Sequence, residues 1–204
     1  MYPTPHHAKE PPSAAALAEL ERLTAPDPAA HASLIKVYSQ YDGLDFCNLY
    51  CPDCPDGHPA LSLLPVEEWK AATDPWLPGG EMASFMEGGG YYDSGSWRVI
   101  GRVPSEDMCV VLFFDGAFEG MSLTGKVFTI GLDGYLGFED ELAPTFAAFI
   151  DDFTTDPAAV LNRIGFGWNV SKMEDGKESH FGDPIESYLP DARAHPALAH
   201  WPSK

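Results

Sequence analysis

The middle of the chain contains four short segments rich in β-branched and aromatic residues between Trp97 and Phe138: "WRVIGRV", "MCVVLFFD", "GKVFTIGL" and "GYLGF". Pro104, several glycines and the pair Asp133–Gly134 separate these segments. Such segments favour strands, and Gly, Pro and Asp-Gly favour the turns between them. Strands joined by short turns pair antiparallel. The pattern therefore predicts an antiparallel meander, against which the rest of the chain must pack.

Helical patterns precede and follow this meander. "SAAALAELERL" offers Ser13 as an N-cap, and "APDPAAHASLIKVYSQYDG" places Asp27 as an N-cap before Pro28 at the first helical position. "LAPTFAAFIDDF" shows helical spacing of apolar residues further on, and "DPAAVLNRIG" repeats the pattern of an Asp cap, here Asp156, before a proline. Helices, then a meander, then helices predict an α+β domain.

The two ends of the chain lack this regularity. The first twelve residues hold four prolines and no hydrophobic period, so residues 1–12 are predicted to be a mobile tail. Residues 166–204 form a C-terminal extension rich in proline. This extension either wraps the domain surface, with Tyr188, Leu189 and Trp201 as apolar anchors, or is loose.

The charge of the chain is strongly acidic. It has 31 Asp and Glu against 12 Lys and Arg, which gives a formal net charge of -19. Direct binding of nucleic acid is not expected, because phosphate contacts need a basic surface. A basic protein partner suits this charge, since complementary charge raises the rate of encounter. The alternative is that the acidity serves solubility alone.

The sequence predicts a cytoplasmic protein that does not enter a membrane. No apolar run reaches the roughly 18 residues that a membrane helix needs. The beginning "MYPTPHHAKEPPS" lacks the apolar centre of a signal peptide. Thiols stay reduced in the cytoplasm, so its cysteines are expected to be metal ligands or buried residues rather than disulfides.

The stretch "CNLYCPDCPDGH" places Cys47, Cys51, Cys54 and His58 within twelve residues. Two cysteines at C-x-x-C spacing, with two further donors nearby, match the ligand set of a closed structural zinc site. A reduced loop without metal is the alternative, and a catalytic zinc with three protein ligands and an open position is another. The C-x3-C-x2-C spacing also occurs in radical enzymes with an iron–sulfur cluster, but this chain lacks the βα repeats of their barrel.

Other catalytic motifs are missing from the sequence, so an enzyme is not expected. There is no G-x-S-x-G, H-E-x-x-H, P-loop or dinucleotide-binding fingerprint. Cys109 begins an apolar segment and is predicted to lie in the core. The histidines outside the cysteine stretch lie mostly near the ends of the chain and are interpreted as solvated or locally hydrogen-bonded: His6, His7, His180, His195 and His200.

Two groups of residues are candidates for contact with a partner. Asp151, Asp152 and Asp156 lie near the end of a predicted helix, where they form either a binding surface or an ordinary solvated face. Tyr91, Tyr92 and Trp97 lie in or beside a glycine-rich loop. Aromatic residues in loops often mediate recognition, but these rings are equally suited to filling the core.

Four strings together resemble the SUKH superfamily, which contains Smi/Knr-like cell-wall regulators and bacterial immunity proteins. "VYSQYDG" resembles the family's apolar helix that ends on Asn-Gly, with Asp42 in place of the asparagine. "LSLLPVEEW" resembles a leucine strand leading into a proline-capped helix. "FFDGAFEGMSLTGKVFTIGLDG" resembles the central strand pair, and "LAPTFAAFIDDF" resembles the terminal helix, with Thr145 in place of the usual serine.

The resemblance covers residues 14–165 and implies a SUKH-like domain over residues 13–165. It implies a curved antiparallel sheet flanked by N-terminal and C-terminal helices, and a non-enzymatic recognition function. Bacterial members bind and neutralise cognate toxin domains, often nucleases, and others act as regulatory scaffolds. The chain departs from the family pattern in the Cys/His insertion at residues 47–58 and in the extension over residues 166–204.

Overall fold

The computed structural model describes nine stretches of the chain: residues 6–51, 54–71, 97–103, 108–118, 120–130, 141–164, 170–174, 177–181 and 189–201. Within them lie four α-helices: α1 (Ala14–Thr24), α2 (Ala32–Tyr38), α3 (Phe146–Thr155) and α4 (Pro157–Arg163). Three short 3-10 helices span Val66–Glu68, Ala192–Ala194 and Pro196–Leu198. The predicted glycine-rich loop and the predicted strand "GYLGF" lie outside the described residues.

The same residues form fourteen strands. They are β1 (His7–Ala8), β2 (Leu44–Phe46), β3 (Leu49–Cys51), β4 (Cys54–His58), β5 (Leu61–Leu63), β6 (Lys70–Ala71), β7 (Trp97–Val103), β8 (Met108–Phe113), β9 (Ala117–Phe118), β10 (Met121–Ser122), β11 (Val127–Ile130), β12 (Glu141–Ala143), β13 (Val170–Glu174) and β14 (Lys177–Phe181).

One large sheet organises the fold. Its strand order is β1-β2-β5-β7-β8-β11-β12, β6 also pairs with β7, and every pairing is antiparallel. Three separate hairpins pair β3 with β4, β9 with β10 and β13 with β14. The predicted α+β class, a curved antiparallel sheet flanked by N-terminal and C-terminal helices, is confirmed.

The centre of the sheet is buried on both faces. Every residue from Cys109 to Phe113 on β8 and from Val127 to Ile130 on β11 is buried. Successive residues of a strand point to opposite faces, so a continuous apolar run marks a strand that is covered on both sides. This burial explains why "MCVVLFFD" is continuously hydrophobic rather than alternating.

Three of the four described helices, α1, α3 and α4, begin after a residue whose side chain accepts a hydrogen bond from the first turn. The Ser13 side chain accepts a hydrogen bond from the Ala16 N–H in α1, and Thr145 and Asp156 do the same for α3 and α4 at 3.1 and 3.0 Å. These side-chain bonds replace the partners that the first turn of a helix lacks. The predicted starts at Ser13 and Asp156 are confirmed.

The second helix begins one turn later than predicted. The Asp27 carboxylate accepts a hydrogen bond from the Ala30 N–H, but residues 28–31 form turns and α2 begins at Ala32. In a helix starting at Pro28, the Asp27 carbonyl would accept a bond from the His31 backbone N–H. The His31 ring contacts that carbonyl instead, at 2.8 Å. The side chain thus competes with the helix for the same acceptor.

Described residues near both ends of the chain join the domain. His6 is buried and β1 pairs with β2, so residues from His6 onward are not the free tail predicted over residues 1–12. At the other end, Leu189 and Trp201 pack against the core, and Leu198 is buried. Of the two alternatives for the C-terminal extension, residues 189–201 adopt the wrapped one.

An arginine covers the far edge of the sheet. Arg163, the last residue of α4, donates hydrogen bonds to the carbonyls of Glu141 and Leu142 on β12. Unpaired strand edges invite pairing with other chains, and a charged side chain on the edge opposes it.

No helix among the described residues is both long enough and apolar enough to cross a membrane.

Candidate functional site

Cys47 lies in the core rather than in an open cysteine loop. It is 0% exposed, and its backbone has a φ of 54°. Its N–H donates to His6 Nδ1 at 3.1 Å, and its Sγ donates to the Pro190 carbonyl at 3.4 Å. Burial, with the nearby charge of Asp191, raises the pKa of the thiol to about 12. Zinc binds the thiolate, so these surroundings disfavour Cys47 as a ligand, while the predicted set of four stays a prediction.

The other three predicted ligands lie on the hairpin of β3 and β4. Cys51 and Cys54 are direct register partners, and His58 is opposite Leu49 beyond a register shift. The structure thus brings Cys51 and Cys54 together in register and leaves Cys47 outside the hairpin. Among the side chains that the structure describes, no group of three or more His, Cys, Asp or Glu residues is placed to hold a metal ion.

His6, Cys47 and His195 form what we call the terminal clasp, because they join both ends of the chain to the sheet. His6 Nε2 lies 2.8 Å from the Asp191 carbonyl and therefore donates to it, while Nδ1 accepts from Cys47. His195 Nε2 donates in the same way to the His7 carbonyl at 3.1 Å. The two imidazole centroids are 5.7 Å apart.

The clasp histidines are structural at neutral pH. Burial lowers the pKa of His6, and it lowers the pKa of His195 to about 4. Both rings therefore remain neutral, each with one donor and one acceptor nitrogen. The interpretation of His6 and His195 as solvated or locally bonded is wrong for His6 and incomplete for His195. His195 does bond locally to the Ala197 N–H, but both rings also bond across more than 180 residues.

The predicted acidic residues lie where α3 ends and α4 begins, and we call this region the acidic corner. The Asp151 carboxylate accepts a hydrogen bond from Trp201 Nε1 at 2.7 Å. The Asp156 carboxylate caps α4. Asp152 is exposed on α3. Two of the three therefore have structural roles beside any role in binding.

A groove opens between the acidic corner and residues 189–201, which we call the C-terminal segment. We call this groove the acidic groove. Its volume is about 360 Å³. Asp191 lines the groove from a part of the chain that has no clear periodicity, so no local pattern in the sequence marks it. The lining residues are Thr154, Thr155, Asp156, Pro157, Ala158, Leu189, Pro190, Asp191 and Ala192.

Two sets of hydrogen bonds hold the walls of the acidic groove together. In the first set, Cys47 and His6 donate hydrogen bonds to the carbonyls of Pro190 and Asp191. In the second set, Arg193 donates through Nε to the Thr154 carbonyl at 3.2 Å and through Nη2 to the Thr155 hydroxyl at 2.7 Å. The terminal clasp therefore positions one wall of the groove against the other.

Comparison of this protein with protein-family models, with curated proteins and with solved structures finds no significant match. The resemblance to the SUKH superfamily accordingly stays a prediction.

The aromatic candidates divide between the core and the undescribed part of the chain. Trp97 is 1% exposed and begins β7, where its ring lies 6.3 Å from that of Phe113. It fills the core, which corrects its prediction as a partner contact. Tyr91 and Tyr92 lie outside the described residues.

Proposed function

We propose that this protein binds a basic protein toxin, of the nuclease type, and neutralises it by covering its active surface, in the manner of a bacterial immunity protein. The observation that carries the proposal is the net charge of -19, together with the exposed carboxylates around the acidic groove. Nuclease toxins need basic surfaces to bind their substrate. An acidic protein that covers such a surface competes directly with the nucleic acid.

The strength of the field favours rapid capture. Complementary charge raises association rates well above those of neutral surfaces, and the effect decreases as salt screens the charges. An immunity protein has to reach its toxin before the toxin reaches the genome. Fast, salt-dependent association is therefore the kinetic behaviour that this proposal requires. It also places the activity in the cytoplasm, where the nucleic acid lies.

The surroundings of Cys47 and His195 disfavour these two groups as catalytic acids or bases at neutral pH. General acid–base catalysis works best with a pKa near the working pH. Burial moves the pKa of the Cys47 thiol to about 12 and that of His195 to about 4, in both cases away from neutrality. A regulatory scaffold of the same superfamily would use the same kind of surface and would differ only in the protein it binds.

A protection assay tests this function. The chain is expressed together with each candidate toxin domain found among the products of neighbouring genes, and growth is measured with and without the chain. The proposal expects growth to be restored, with a complex of fixed stoichiometry on size-exclusion chromatography with light scattering. It also expects the on-rate to fall as salt is raised. Growth that stays arrested, with no complex at low salt, contradicts the proposal.

We also propose that the hairpin of β3 and β4 binds zinc. The observation in its favour is the register, which places Cys51 directly opposite Cys54. Residues at opposed positions of an antiparallel pair are close neighbours, and thiolates are preferred zinc ligands. With His58 the hairpin offers three donors, so one coordination position remains for water or another ligand. The ion would stabilise a hairpin too small to form its own core.

Metal analysis tests the zinc proposal. The protein is purified without chelator or affinity tag, and its zinc content is compared with that of the double variant Cys51→Ser/Cys54→Ser. One zinc per chain is expected in the wild type and none in the double variant. Cys47→Ala is the matched control, because it removes a cysteine outside the hairpin, and it is expected to keep its zinc. Wild-type protein without zinc, or a double variant that retains it, contradicts the proposal.

A further inference from the structure

We propose that the acidic groove is the docking site for the basic partner, and that it receives one long basic side chain, arginine or lysine, from that partner. This inference rests on the proposed function, because it specifies where the basic protein binds and which of its groups is recognised.

The size of the groove suits a single side chain. Its volume of about 360 Å³ lies at the lower end of the range of about 300–1,000 Å³ that is typical of ligand pockets. One side runs along the link between α3 and α4, and the other along Leu189–Ala192. The groove is open at the surface, so a side chain projecting from a docked protein can enter it without a change in the fold.

The walls combine apolar and acidic groups. Pro157, Ala158 and Leu189 provide apolar surface, while Asp156 and Asp191 provide negative charge. Arginine and lysine have the matching construction, because an aliphatic stem packs on apolar surface while the cationic head reaches a polar partner. An anionic side chain would meet two carboxylates, and a purely apolar one would offer no donor to the acceptor sites that both carboxylates retain.

The two carboxylates are held in place before any ligand arrives. One oxygen of Asp156 accepts the Ala159 N–H at 3.0 Å, and one oxygen of Asp191 accepts the Arg193 N–H at 3.0 Å. A carboxylate has two oxygens and about four acceptor sites, so each retains capacity for a donor from the partner. Acceptors that are already oriented lose little conformational entropy on binding, which favours affinity.

The local charge balance also favours a cation. Arg193 is the basic residue that bonds to the groove residues Thr154 and Thr155. It offsets one of the two carboxylates and leaves the groove with one net negative charge. The field of a chain with a net charge of -19 adds to this. The guanidinium of Arg193 is bound to α3, so the groove carboxylates remain the attractive groups for an incoming cation.

Asparagine variants test the docking site without disturbing the helix caps. Asn caps helices about as well as Asp, so Asp156→Asn and Asp191→Asn remove charge while keeping the N-terminal bonds. The inactive toxin domain of the protection assay is the first probe, and affinity is measured by calorimetry. The double variant is expected to bind about 30-fold or more weakly, as is typical when one member of a desolvated charge pair is lost. Glu21→Gln, an exposed acidic residue on α1, is the control and is expected to bind like the wild type.

A second probe separates this inference from the proposed function. N-acetyl-arginine methylamide is titrated into the labelled wild type and into the double variant, with shifts followed by NMR. The inference expects shifts at residues 154–158 and 189–192 in the wild type alone. N-acetyl-norleucine methylamide, which lacks the charge, is expected to cause no shifts at these residues in the wild type or in the double variant.

The outcomes distinguish the two claims. Equal affinity of the wild type and the double variant for the toxin overturns the docking site and leaves the proposed function intact. If the toxin does not bind the wild type, the proposed function fails, and the arginine probe decides the groove by itself. Shifts away from the groove, or equal shifts in the double variant, overturn the groove as a site for a basic side chain.

Discussion

His31 at the start of α2 and the histidines of the terminal clasp are all buried, but they face different kinds of atoms. Each clasp histidine donates a hydrogen bond to a carbonyl and accepts one from a backbone N–H. The two nitrogens of His31 contact two carbonyls, those of Asp27 at 2.8 Å and Phe113 at 3.2 Å. A neutral imidazole has one donor and one acceptor, which matches the two hydrogen bonds of each clasp ring, whereas two carbonyls both require a donor. The partner atoms, and not burial alone, decide how each ring is used.

The two regions also hold different parts of the molecule. The clasp joins the C-terminal segment to β1 and β2, and so positions a wall of the acidic groove. His31 joins the turn before α2 to β8, and its ring stacks on Phe114 at 5.2 Å with an interplanar angle of 10°. Loss of the clasp should therefore affect the groove first. Loss of His31 should affect the whole domain.

The largest effect is expected for His31→Leu. The change removes both carbonyl contacts and the polar ring that stacks on Phe114, and the Asp27 carbonyl loses the side-chain contact that ties it to residue 31. The Phe113 carbonyl keeps its bond from the Gly125 N–H at 2.8 Å, so its loss is smaller. We expect the free energy of unfolding to fall by about 2–4 kcal/mol, measured by urea denaturation.

His7→Leu is the matched control for this change, because the His7 side chain is exposed. Its free energy of unfolding should stay within about 0.5 kcal/mol of the wild type. If His31→Leu behaves like this control, the two carbonyl contacts do not anchor α2, and the contrast with the clasp is lost.

His6→Leu breaks the clasp and should have a smaller global effect. The change removes the bond to the Asp191 carbonyl and leaves the Cys47 N–H buried without its acceptor. We expect a loss of about 1–3 kcal/mol, concentrated in the C-terminal segment. Hydrogen exchange should accelerate at residues 189–201 while β8 and β11 remain protected. Unchanged exchange at residues 189–201 would show that the segment is held without the clasp.

The sequence revealed what depends on neighbours along the chain. Ser13, Thr145 and Asp156 cap helices through residues three positions away, and the strands of the sheet centre show in their β-branched and aromatic composition. Both kinds of signal are local, because caps and strand propensities act within a few residues. The α+β class followed from their order.

What the sequence did not reveal depends on contacts between distant residues. His6 and Asp191 are separated by 185 positions, and Cys47 and Pro190 by 143, so neither the clasp nor the groove has a local pattern. The late start of α2 has the same origin, because the His31 ring is held by Phe113 on β8. Cys47 matched a ligand spacing, but its burial is a property of the folded chain.

The pH dependence of stability tests the neutral state of the clasp. Burial lowers the pKa of His195 from 6.5 to about 4, so the unfolded chain binds more protons than the folded one between these values. Stability should therefore fall as the pH is lowered from about 6.5 to about 4, and His195 should account for about 2 kcal/mol of this loss. Above about pH 6.5 the contribution of His195 to stability should not change with pH.

The variant His195→Gln isolates this contribution, because every other titrating group is common to both proteins. Subtracting its free energy of unfolding from that of the wild type at each pH should give a difference that shrinks as the pH falls. Two parallel curves would mean that His195 titrates alike in the folded and unfolded chains, and the neutral clasp would have to be abandoned.

Cys47→Ala should have the smallest effect of these changes. It tests how much the thiol contributes to the terminal clasp and to the wall of the acidic groove. The thiol is a weak donor, so losing its bond to the Pro190 carbonyl should cost about 1 kcal/mol in denaturant unfolding. The backbone strain at the φ of 54° is the same in both proteins, because alanine tolerates the left-handed region no better than cysteine does. It therefore does not contribute to the difference in stability. Affinity of the acidic groove for the arginine probe should fall slightly, since His6 still holds the same wall. A loss as large as that of His6→Leu would mean that the sulfur, and not the imidazole, is the main tie between the sheet and the C-terminal segment.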